Sequence, residues 1–158
     1  QIGVIGFSAG GHLASTLATQ YDKKVYNGIE ATDSLSARPD FMALIYPVIT
    51  MKRDFTHAGS RKNLIGLNPK KEKVDRFSSE LQVTNQTPPA FIVHSSDDKT
   101  VPVKNSLLFY EALQKAGISV EMHIYPEGGH GYSLAIGNGY LQSWPDHMTK
   151  WLASLQYQ

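Results

Sequence analysis

The sequence predicts an α/β fold: a mostly parallel sheet of about four strands flanked by helices. Three observations carry this prediction. Short apolar runs alternate with segments of helical periodicity along the whole chain. The first three runs are almost continuously apolar, as strands are when helices cover both faces of a parallel sheet. The segments between the runs carry the proline and glycine signals that open and close helices.

Each element follows in turn. IGVIGF (Ile2 to Phe7) reads as a buried strand, and AGGHLASTLATQY as a helix rich in small residues. FMALIYP (Phe41 to Pro47) is the second strand, AFIVHSS (Ala90 to Ser96) the third and VEMHIYP (Val120 to Pro126) the fourth. Between the last two lies PVKNSLLFYEALQKAG, where Pro102 suits a first helical turn and Gly117 a C-terminal cap. The last helix runs from Trp144 and gathers Trp144, Met148, Trp151, Leu152 and Leu155 on one side. Right-handed crossovers are expected to join the strands. The charged stretch from Ile49 to Pro89 is read as an excursion with one or two short helices, within a single domain spanning 1–158.

Composition narrows the function classes. The chain has 158 residues, 41% hydrophobic, with a formal charge of +1 and no basic block, so neither nucleic acid nor an anionic membrane surface is indicated as a partner. The longest apolar run, Phe41 to Ile49, is too short to span a bilayer. Without cysteine there is no disulfide, thiol nucleophile or thiolate metal site. No signal-peptide pattern is read in the first residues.

Gly6-Phe7-Ser8-Ala9-Gly10 fits G-x-S-x-G. A serine on a tight strand-to-helix turn adopts strained backbone angles, so the residues two positions away on either side must be nearly free of side chains. Such a turn lifts the hydroxyl above the strand end and leaves the Ala9 N–H, at a helix start, available for a developing oxyanion. Alone the motif is weak; the strand before it and helix after it strengthen it. The competing reading is a glycine-rich turn with no chemistry.

A serine needs a base, and the base an orienting carboxylate. The third strand runs directly into Ser95-Ser96-Asp97-Asp98, and the fourth into Glu127-Gly128-Gly129-His130-Gly131-Tyr132. Both candidates therefore fall at C-terminal strand ends, where open α/β sheets bind ligands. Asp98 is preferred as the acid, with Asp97 as the alternative and otherwise a turn cap. His130 is the only histidine flanked by glycines on both sides. His12 is read as a packing or hydrogen-bonding residue, His94 as a support for the aspartate loop, and His57, His123 and His147 as surface or strand-face positions. None has metal-ligand spacing, so no metal or cofactor is expected.

GFSAGGHLAS, HSSDDKTVPVKNS and YPEGGHGYS resemble the three catalytic blocks of the α/β-hydrolase superfamily. More narrowly they resemble its esterase/lipase and dienelactone-hydrolase-like branch, which includes bacterial acetyl xylan esterases. RPDFMALIYPVITM and TPPAFIVH extend the likeness over nearly the whole chain. The resemblance implies Ser8 as nucleophile, Asp98 as orienting carboxylate, His130 as general base then acid, and Ala9 as one oxyanion donor. Family members carry several strands and an HGGG-type loop before the serine, whereas five residues precede Gly6 here. A partial α/β-hydrolase fold is therefore expected, the C-terminal part of a longer hydrolase. Lacking the second oxyanion donor would cost about 2.7–4 kcal/mol of transition-state stabilisation. The first strand would present an unpaired apolar edge, through which association as a homo-oligomer or with a preceding N-terminal portion is expected.

The function implied is hydrolysis of a small-molecule or oligosaccharide ester through an acyl-enzyme, with acetylated xylan as the substrate class that the resemblance suggests. It also suggests a secreted or periplasmic location, on which composition is neutral. Phe7, Tyr46 and Tyr132 are the candidate substrate-binding residues, chosen because they adjoin catalytic or strand-end positions. A peptidase of the prolyl-oligopeptidase type and a catalytically idle domain used for binding are the alternatives.

Overall fold

The computed structural model describes residues 1–155 of the chain; the single-domain expectation extends three residues beyond them. Four parallel strands, β1 (Gly3–Phe7), β2 (Phe41–Ile45), β3 (Ala90–Ser95) and β4 (Val120–Tyr125), lie in the order β1-β2-β3-β4. Their helices are α1 (Ala9–Gln20), α2 (Ala58–Ile65), α3 (Lys71–Arg76), α4 (Lys104–Lys115) and α5 (Trp144–Leu155). The expected parallel α/β sheet is what the chain forms, with β2, β3 and β4 ending one or two residues short of the apolar runs. β2 stops at Ile45 because Tyr46 takes a left-handed φ of 39° and Pro47 has no N–H to donate.

Continuous hydrophobicity has a direct consequence here. Successive side chains of a strand point to opposite faces, so Met42, Leu44, Ala90 and Ile92 pack on one face with Ala14 and Ala18 of α1 and Phe109 and Leu113 of α4. Ala43, Ile45, Phe91 and Val93 pack on the other with Trp144 and Trp151 of α5. Met148, Leu152 and Leu155 complete the apolar side of α5. Small residues in α1 let it lie close to the sheet. α4 ends at Gly117 (φ 73°), where Gly117 N–H donates to Gln114 O and Ile118 N–H to Leu113 O, the paired bonds of a Schellman cap. β1 pairs with β2 alone among the described strands, and Ile2 and Ile5 are exposed, 81% and 48%.

The Ile49–Pro89 excursion contains α2, α3 and a 3-10 turn at Ser79–Leu81. It returns onto the sheet domain through buried polar contacts. Ser15 Oγ donates to Ser79 Oγ (2.9 Å), and Asn105 Oδ1 accepts the N–H groups of Ile49 and Thr50. Thr50 Oγ1 donates to the buried carboxylate of Glu80, which Lys52 approaches at 3.3 Å. Among the described residues no helix is long and apolar enough to cross a membrane.

Candidate active site

Ser8 sits between β1 and α1 with φ 52° and ψ −118°, a backbone conformation L-residues rarely adopt. Four backbone bonds hold it there. Its N–H donates to Ile45 O, and its carbonyl accepts from Gly11, His12 and Val48. The tightness of the turn is legible in the glycines: a Cβ on Gly6 would lie 2.3 Å from Gly10 O, and one on Gly11 2.6 Å from Pro47 Cβ. A Cβ on Gly10 meets nothing within 4 Å among the described residues. The second obligatory glycine is thus Gly11, set by the approach of Pro47, and not Gly10 as the motif suggested. Ala9 opens α1, so its N–H is one of the amides that have no intrahelical acceptor.

His130 reaches the serine from the loop after β4. Its Nε2 is 2.8 Å from Ser8 Oγ, and its Nδ1 is 2.6 Å from Asp98 Oδ2. A carboxylate only accepts, so Nδ1 carries the proton and Nε2 is left to accept from the Ser8 hydroxyl. Asp98 is buried, and its Oδ1 accepts the N–H groups of Thr100 and Val101 at 2.8 and 2.9 Å. Asp97 is exposed and does different work. Its Oδ1 accepts the Gly129 N–H at 2.8 Å, which holds its carboxyl below the usual range and ties the aspartate loop to the histidine loop.

Phe7, Tyr46 and Tyr132, the candidate substrate-binding residues, form a packed aromatic group. Tyr46 is 4% exposed, with its ring centroid 4.8 Å from His130 and 4.5 Å from Tyr132, while Phe7 packs edge-on to Trp144. The Tyr46 hydroxyl accepts the Ser133 N–H at 3.1 Å. Burial pushes the phenols of both Tyr46 and Tyr132 upward, so both are neutral. Of the three, Tyr46 is the ring that packs against His130, with Phe7 and Tyr132 packed against Tyr46 in the aromatic group.

The remaining histidines have separate structural partners. His12 Nε2 donates to Phe77 O at 2.7 Å, joining α1 to the excursion, and burial lowers its pKa. His57 caps α2 by accepting the Ser60 N–H. His123 lies between Glu121 and His147, with 3.3 Å between the two imidazole Nδ1 atoms. No group of three or more His, Asp or Glu suited to a metal occurs among the described residues. A hollow of about 340 Å³ lies between α1 and α2, lined in part by Ala9, His12, Leu13, Thr16, Asn63 and Leu64, so the excursion borders the space beside Ala9. The larger hollow, about 640 Å³ around Arg53, Arg61 and Asp75, contains none of the candidate residues.

The prolyl oligopeptidase family model matches residues 1–156. Among curated relatives, endo-1,4-beta-xylanase B of Butyrivibrio fibrisolvens is 44% identical over 132 residues, covering 84% of this chain and 20% of that protein. The acetylxylan esterase of Xylanibacter ruminicola is 34% identical over 158 residues, covering 98% of this chain and 30% of that protein. Among solved structures, an acetyl ester-xyloside bifunctional hydrolase from Caldicellulosiruptor lactoaceticus superposes with a TM-score of 0.92 at 45% identity, covering 98% of this chain and 57% of that one. The chain therefore spans less than two thirds of the length of each of these proteins. Its sheet and helices are those of an α/β hydrolase, and it belongs to the prolyl oligopeptidase family.

Proposed function

We propose that the chain carries the catalytic centre of a serine carboxylic ester hydrolase that removes short acyl groups, acetyl above all, from xylan-type carbohydrate. The observation that carries this reading is the continuous hydrogen-bonded chain Ser8 Oγ–His130 Nε2 and Nδ1–Asp98 Oδ2, at 2.8 and 2.6 Å, with the serine on a left-handed turn. The Ser8 proton passes to His130 Nε2 as Oγ attacks the ester carbonyl. The oxyanion that forms is met by the Ala9 N–H at the start of α1. His130 then protonates the leaving alkoxide from the same nitrogen, and its Nδ1–H stays on Asp98. Water repeats the sequence on the acyl-enzyme. The carbohydrate assignment is supported by the names of the acetylxylan esterase and the acetyl ester-xyloside hydrolase to which the chain is similar.

The family description favours a second reading, cleavage of a peptide bond by the same three residues. Parallel assays separate the two: acetylated xylo-oligosaccharide and p-nitrophenyl acetate against a proline-containing peptide amide. The esterase reading expects turnover of both esters, none of the peptide, and loss of ester turnover in Ser8→Ala. Peptide turnover without ester turnover would reverse the order, and full turnover in Ser8→Ala would exclude both.

A further inference from the structure

Asp98 accepts from more than the histidine it is expected to orient. His94, four residues earlier on β3, is completely buried, and its Nε2 stands 3.2 Å from Asp98 Oδ2 and 2.9 Å from Val101 O. Both of those oxygens are acceptors only, so His94 Nε2 must carry a proton. Its Nδ1 faces Ser106 Oγ of α4 at 2.7 Å, and the hydroxyl donates to it. Burial holds His94 in the neutral form, and this arrangement fixes its tautomer. Asp98 then has four donors on its two oxygens: Thr100 and Val101 N–H on Oδ1, His94 and His130 on Oδ2. That number matches the lone-pair sites of a carboxylate.

We propose that His94 is a positioning residue for this site: locked by Ser106, it shares Asp98 Oδ2 with His130 and so limits the negative charge which that oxygen offers the imidazolium. The inference rests on Ser8, His130 and Asp98 acting together as proposed above. Two donors on one oxygen compete, so each weakens what the other receives. Asp98 keeps its place without His94 because its other oxygen is held by two backbone amides. What changes is the basicity of the oxygen facing His130. The titratable groups around that imidazole are Asp98 on its Nδ1, Asp97 bonded to the adjacent Gly129, and Tyr46 against its ring with Tyr132 packed on Tyr46, both neutral. His94 is therefore the group placed to adjust Asp98 from behind.

The test uses three variants: His94→Phe, which keeps bulk and removes the donor; His94→Gln, which restores an N–H near the Nε2 position; and Ser106→Ala, which removes the hydroxyl that fixes the tautomer. On p-nitrophenyl acetate, His94→Phe is expected to act through kcat rather than KM, since His94 is buried behind Asp98. It should also move the acid limb of the kcat/KM profile to higher pH by about half a unit to one unit, roughly three- to tenfold in rate on that limb. His94→Gln returns the limb toward its original position, and Ser106→Ala moves it in the same direction as His94→Phe by less. Proton NMR reads the same competition without turnover: the His130 Nδ1–H resonance should move downfield in His94→Phe. A folded His94→Phe with an unmoved limb and an unmoved resonance overturns the inference. If that variant does not fold, an unmoved resonance in Ser106→Ala overturns it equally. Ester turnover that survives Ser8→Ala would refute the esterase reading instead, and the NMR shift would still decide the role of His94.

Discussion

Two loops meet at the proposed site, and they are built in opposite ways. The serine turn is held by backbone: a left-handed φ, four main-chain hydrogen bonds and two glycines pressed against Gly10 and Pro47. The histidine loop is held by side chains drawn from elsewhere in the sequence. Asp97 binds its Gly129 N–H, the Tyr46 hydroxyl binds its Ser133 N–H, and Asp98 binds the imidazole itself. A backbone-built turn tolerates almost no change at a few positions, whereas a loop built from several side chains weakens gradually as each is removed.

Substitutions in the two loops put that contrast to the test. The largest effect on turnover is expected from Asp98→Asn, a loss of about 10³–10⁴-fold in kcat, because an amide can present its N–H to His130 and favour the wrong tautomer. Stopped-flow release of p-nitrophenol measures it; a comparable loss in Asp97→Asn instead would move the orienting role to the other aspartate. Gly6→Ala comes next. Its methyl group must displace the Gly10 carbonyl, costing about 1–3 kcal/mol in a urea melt and removing the serine from its position. Gly10→Ala is its control and should leave stability unchanged or raise it by up to about 1 kcal/mol, since alanine suits a helix better.

Tyr46→Phe tests the other loop. It leaves the Ser133 N–H without its acceptor and should cost about 1 kcal/mol, with a several-fold fall in kcat rather than its abolition. The smallest effect is on pH-dependent stability. His12 and His94 have folded pKa values below the ordinary value, so near pH 6 the unfolded chain binds more protons than the folded one. Their contribution is fully present above about pH 6.5 and lost as pH falls through the lowered folded values. The urea midpoint should therefore decline on acidification from pH 7 to pH 5, and less steeply in His12→Gln.

The same contrast explains what could be read from the sequence. Strands β2 and β3 were legible because continuous apolar runs have one comfortable place, the middle of a covered parallel sheet. The serine turn was legible because backbone strain selects particular residues at fixed spacing. The need for glycine at Gly11 is not legible, since the approach of Pro47 from the end of a different strand leaves no local trace. Asp97, Tyr46 and Ser106 act through partners 32, 87 and 12 residues away. Nothing in their own neighbourhoods signals those pairings. Tyr46 in particular is known from the sequence only by its position after a strand, which carries no trace of its packing against the His130 ring.

The most direct measurement is covalent labelling. Incubated with a fluorophosphonate and analysed by intact mass and peptide mapping, the chain should gain one adduct, on Ser8. The adduct should vanish in Ser8→Ala and form far more slowly in His130→Ala, with Asp98→Asn between the two. An adduct on another residue, or labelling of Ser8 at an undiminished rate without His130, would contradict the proposed roles of all three residues.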